Sequence, residues 1–140
     1  MFDHASAADV TQESLLRAYQ KIHLFNSQHA FAPWLFTIAR RVAINAKKKE
    51  NKRQETTLID ETLSDASEET GNNLIQPLWN LALEILNEKS YQAMRLHYAE
   101  DLSIREIANI MGKTETGIKV LLFRSRQKLS TIAKIRDISL

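Results

Sequence analysis

The chain has 140 residues, 44% hydrophobic and 26% charged, a balance that suits a folded globular protein and excludes wholesale disorder, collagen and a bilayer-spanning chain. It contains no cysteine, which removes disulfides, thiolate nucleophiles and thiolate metal sites together and suits a reducing compartment. The net charge of +2 conceals a segregation: residues 1–54 carry nine Lys and Arg against four Asp and Glu, residues 55–77 none against six, and residues 78–140 ten against seven.

The opening residues, MFDHASAADV, carry no basic patch followed by an apolar core. No uninterrupted apolar run approaches the roughly 18 residues that cross a bilayer, so no membrane insertion is expected and the cytoplasm is the expected location. Leu15, Tyr19 and Ile22 stand at i, i+4, i+7, and Leu35, Ile38 and Val42 at i, i+3, i+7. These spacings predict two helices forming a hairpin. Its connector, FNSQHAFAP, ends in Pro33, which suits the first turn of the second helix because its missing N–H would be unpaired there anyway. The acidic stretch 55–77 mixes Thr, Ser, Asp, Glu, Asn and Gly71 without an apolar stripe and reads as a flexible linker.

After Pro77 the stripe resumes with Leu78, Leu81, Ala82, Ile85 and Leu86, and Asn87 opens a further helix carrying Tyr91, Met94 and Tyr98. Ser103-Ile-Arg-Glu106 has the spacing of a capping box, in which hydroxyl and carboxylate each take the other's orphan amide. The helix it starts meets Gly112, which tolerates the left-handed geometry that ends helices. Thr114 then caps a last helix whose inner stripe is Ile118, Leu122, Ser125, Leu129 and Ile132. Helix, glycine turn, longer helix is the pattern of a helix-turn-helix, whose second helix fits a major groove about 12 Å wide.

Catalysis finds little support. The four histidines, His4, His23, His29 and His97, lack a paired spacing or a carboxylate cluster, so no metal is expected. Three glycines cannot build a phosphate cradle, and no serine sits in a nucleophile elbow. The expectation is a binder that needs no cofactor. Both basic stretches are candidates for a polyanion. In the front stretch Phe31 and Trp34 could stack on unpaired bases, with core packing as the competing role for Trp34. Arg40, Arg41, Lys47, Lys48 and Lys49 line the same helix as candidate backbone contacts. In the last helix Lys119 and Arg124 read as contact residues, near the end formed by Thr114, Glu115 and Thr116 that normally enters the groove. Arg126 and Lys128 are candidates to face the partner helices instead.

Two blocks resemble the bacterial sigma factors of the extracytoplasmic-function group, within the sigma-70 family. ADVTQESLLRAYQKIHLF followed by FAPWLFTIARRVAIN is similar to the latter part of region 2, and LEILNEKSYQAMRLHYAEDLSIREIANIMGKTETGIKVLLFRSRQKL to region 4. The resemblance implies an all-α fold: an incomplete, N-terminally shortened region 2 over residues 1–54, the acidic linker over 55–77, and a region 4 helix-turn-helix over 78–140. It implies that Asp9, Gln12, Glu13 and Arg17 dock on core RNA polymerase, and that Phe25, Asn26, Phe31, Trp34, Arg40, Arg41, Asn45 and Lys48 serve the minus-ten element of promoter DNA. Arg105, Lys113, Thr114, Glu115, Thr116, Lys119, Phe123 and Arg124 would serve the minus-35 element, and an anti-sigma factor would be a further partner. Two other functions fit the residues alone: a stand-alone helix-turn-helix regulator, and a non-initiating module that only binds polymerase or an anti-sigma factor.

Overall fold

A computed structural model describes residues 4–56 and 76–136, and every regular element among them is helical. The acidic stretch, residues 57–75, lies outside the described residues, and with it the expectation of a flexible linker. The chain divides into two compact units, the boundary falling after residue 68.

The first unit is a hairpin of α1, His4–Gln20, and α2, Phe31–Thr56. The turn between them holds a short 3-10 segment, Ile22–Leu24. Pro33 lies in the first turn of α2, where a proline removes no helical hydrogen bond. The buried residues here are Ser14, Ala18 and Val42. The Ser14 hydroxyl donates to the Val10 carbonyl over 2.6 Å, so its polar atom is satisfied inside the contact. The stripe that announces α1 is not its inner face: Leu15 is 54% exposed, Tyr19 79%, and Ile22 is exposed too. Periodicity requires a helix there but does not say which face the neighbour covers, and α2 covers the face bearing the small residues.

The second unit contains α3, Gln76–Ile85; α4, Glu88–Met94, which widens into a π-helical turn over Arg95–Ala99; α5, Ile104–Met111; and α6, Glu115–Ile135. Asn87 caps α4 by accepting from the Ser90 amide. Ile107, Ile118 and Leu122 form the centre of the core, with Leu81, Met94, Met111 and Leu129 around them. The α6 stripe is buried at Ile118, Leu122, Ser125 and Leu129, while Ile132 is half-buried and Ala133 is the fully covered residue of that turn. Tyr98 is exposed, and its hydroxyl accepts from Arg126 on α6 over 2.8 Å. The guanidinium of Arg95 stacks 4.8 Å over the Trp79 ring, which meets Tyr91 edge-on.

Candidate nucleic-acid interface

The α5–α6 pair is built by local chemistry. Ser103 accepts from the Glu106 amide and Glu106 from the Ser103 amide, both over 3.1 Å, completing the capping box. Gly112 closes α5 at φ 64°, the left-handed region. Thr114 Oγ1 then accepts from the Gly117 amide over 3.0 Å, and a Cβ on Gly117 would stand 3.1 Å from that same oxygen. Cap and glycine therefore fit one another, and the start of α6 is fixed two residues after the turn.

With Ile118, Leu122, Ser125, Leu129 and Ala133 committed inward, the opposite face of α6 presents Thr116, Val120, Phe123 and Gln127, with Lys119 and Arg124 on its flanks; all six are exposed. Two of the four candidate cations are engaged within the unit: Arg126 donates to the Tyr98 hydroxyl, and Lys128 to the Ile85 carbonyl over 2.9 Å. Among the described residues no hydrogen bond or ion pair engages Lys119 or Arg124. Arg105, Glu115 and Thr116 are also exposed and Lys113 is half-buried.

Sequence reasoning missed a groove of about 410 Å³ between the start of α4 and α6. Lys89, Ser90, Val120, Arg124 and Lys128 line it. Lys89 and Arg124 lie 35 positions apart, so no local pattern announces that they line one groove. Away from this face, the Arg136 guanidinium forks onto Glu84 with two contacts of 3.0 Å, tying the end of α6 to α3. That hydrogen bonding, with the attraction of the opposite charge, holds the Glu84 carboxyl below its usual range.

In the first unit, Phe25, Phe31 and Trp34 form one aromatic cluster, with ring centroids 5.2 to 5.7 Å apart. Phe31 is exposed, whereas Phe25 and Trp34 are half-buried. Asn26 turns the chain beside them: its side-chain oxygen accepts from the Gln28 amide and its carbonyl from the His29 amide. Along α2, Trp34, Arg41, Asn45 and Lys48 stand at i, i+7, i+11 and i+14 and share a face. Arg40 falls about 120° round from Trp34 and does not join them. It is half-buried, with its Nε buried and without a partner. Asp9, Gln12 and Glu13 are exposed on one side of α1, and Arg17 donates to Glu13 over 2.7 Å beside them. Leu16, 57% exposed, sits in the middle of that polar face.

Among the described residues no group of three His, Cys, Asp or Glu could hold a metal ion, and no helix is long and apolar enough to cross a membrane.

A family model of sigma-70 region 2 matches residues 1–53, and one of sigma-70 region 4 matches residues 79–129. The ECF RNA polymerase sigma factor SigM of Bacillus subtilis is 30% identical over 135 residues, covering 93% of this chain and 81% of SigM. The ECF RNA polymerase sigma factor BldN of Streptomyces coelicolor is 33% identical over 136 residues, covering 91% of this chain; the chain spans about half, 51%, of BldN. Among solved structures, the sigma factor RpoE of Bartonella quintana, in a co-crystal with the anti-sigma factor NepR, matches with a TM-score of 0.78 and 25% identity over 95% of this chain and 84% of that one.

Proposed function

The chain belongs to the sigma-70 family of RNA polymerase sigma factors, in its extracytoplasmic-function group, and on that footing we propose that it binds core RNA polymerase and directs it to promoters. Residues 78–140 would read the minus-35 element, residues 1–54 would take up the minus-ten element, and the acidic stretch 55–77 would join them. The observation that carries this reading is the ordered pair: matches to region 2 and region 4 follow one another in a single chain.

Within that scheme Lys119 and Arg124 supply cations for DNA phosphates, because neither is engaged within its own unit. Thr116 and Phe123 face outward between them, Glu115 and Thr114 sit at the entering end, and Arg105 and Lys113 border it. The exposed ring of Phe31, backed by Phe25 and Trp34, offers a stacking surface for an unpaired base, with Asn26 at its edge and Arg41, Asn45 and Lys48 continuing along the strand's path. Arg40 plays a lesser part than the other cations, since it points elsewhere. Asp9, Gln12, Glu13 and Arg17, with Leu16 between them, form the polymerase-docking face. The protein acts by binding and positioning, without chemistry of its own, and works in the cytoplasm. An anti-sigma factor is a fitting partner, as NepR is for the RpoE of Bartonella quintana.

Gel filtration of the purified chain with core polymerase, followed by footprinting on genomic promoter fragments, tests the reading. Co-elution and protection at two upstream segments support it. Protection of duplex DNA by the chain alone, without association with polymerase, would favour the stand-alone helix-turn-helix regulator instead.

A further inference from the structure

The outward face of α6 contains a feature that cation-to-phosphate contacts leave unused. Val120 is 41% exposed and Phe123 54% exposed, one turn apart on the side opposite the buried stripe. Neither side chain is needed for the core, which Ile118, Leu122 and Leu129 complete. A single exposed apolar residue is ordinary on a protein surface. Here two stand together with Thr116, flanked by the unengaged cations Lys119 and Arg124, on the helix that follows a glycine turn.

Phosphate contacts by Lys119 and Arg124 fix position but carry no sequence information. Between Lys119 and Arg124 the middle of this face holds Thr116, Val120 and Phe123, none of which can pair bidentately with a base edge, and Gln127 comes only after them. On the floor of the major groove the one apolar group that distinguishes a base is the C5-methyl of thymine. Valine suits such a contact, because branching at Cβ restricts its rotamer in a helix and holds its methyls in place.

Resting on the assignment of α6 as the helix that enters the major groove, we propose that Val120, with Phe123 beside it, is a specificity-determining residue that selects thymine in the upstream element by contact with its methyl group. The chain would therefore discriminate one or two adjacent base pairs by an apolar contact, while its cations hold the flanking strands.

The test uses the full chain bound to core polymerase and duplex fragments randomised in the upstream segment. Selection is expected to enrich thymine at one or two neighbouring positions. Each enriched thymine is then replaced by deoxyuridine, which lacks only the methyl. Wild type should bind the uracil probe about fourfold more weakly per methyl removed. Val120→Ser, with its helicity checked by circular dichroism, should lose that discrimination at one position while binding the uracil probe as wild type does. Equal binding of thymine and uracil probes by wild type, or undiminished discrimination by Val120→Ser, overturns the proposal and leaves promoter recognition standing. Selection that enriches no sequence at all overturns both.

Discussion

The Lys128 ammonium donates to the carbonyl oxygen of Ile85 over 2.9 Å, turning a cation of α6 back onto the last turn of α3. Terminal helix carbonyls lack partners within their own helix, and positive charge is favoured there. Arg124, one turn earlier, has no such engagement. The two residues are equally basic on paper, yet only Lys128 is engaged within its own unit.

That contrast gives a paired expectation. Lys128→Gln should lower the unfolding free energy by about 0.5–1.5 kcal/mol and leave the salt dependence of promoter binding unchanged. Arg124→Gln should leave stability within about 0.5 kcal/mol and make the slope of log affinity against log salt shallower by about 1. Urea denaturation and a salt titration of DNA binding separate the two; an exchange of these effects would show the roles reversed.

Gly112 sits at φ 64° with open space where a Cβ would be. Gly112→Ala is expected to destabilise by about 1–2 kcal/mol through backbone strain alone, without a steric clash. Ser103→Ala, which removes one arm of the capping box, should cost about 1 kcal/mol. Both are read from denaturation midpoints, and a neutral Gly112→Ala would mean that the turn relaxes.

Phe31 is the exposed ring of its cluster and Trp34 a half-buried one. Phe31→Ala is expected to weaken binding of the polymerase complex to a pre-opened minus-ten bubble by about 1–3 kcal/mol, the worth of one stacked base. Stability of the hairpin should fall by about 1–2 kcal/mol as well, because the ring also packs on Phe25 and Trp34. Comparison of bubble and flush duplex templates checks this, since a loss confined to neither would assign Phe31 to packing.

Much of the second unit is legible in the sequence because its signals are local. Ser103 with Glu106, Gly112 and Thr114 place both ends of α5 and the start of α6, and the inward stripe of α6 follows from spacing up to Leu129. The first unit is less legible. Leu15 and Tyr19 announce a helix, yet the contact with α2 is made by Ser14 and Ala18, since periodicity reports the helix and not the partner that covers it. The site divides in the same way. Lys119 and Arg124 stand out as cations on a helix, but only the folded unit shows that Arg126 and Lys128 are engaged elsewhere, that the Nε of Arg40 is buried, and that Lys89 and Arg124 line one groove.

The Glu84–Arg136 pair sets a pH dependence. The Glu84 carboxyl titrates below its ordinary value of 4.5 in the folded unit, first through hydrogen bonds from Arg136 and then through its charge. A lowered folded value means that the pair's contribution is present above the unfolded value and disappears as pH falls through the folded one. Both groups are exposed, so the contribution is small and weakened by salt. Glu84→Gln should therefore be slightly less stable than wild type at pH 7 and indistinguishable from it once the pH lies well below the folded value. A difference that persists in acid would place its origin outside this ion pair.

Run-off transcription with purified core polymerase on genomic promoter fragments puts the whole proposal at stake. Adding the chain is expected to produce discrete promoter-dependent transcripts, reduced by Lys119→Ala or Arg124→Ala. A chain that fails to associate with core polymerase at any concentration, and yields no such transcript, would contradict it.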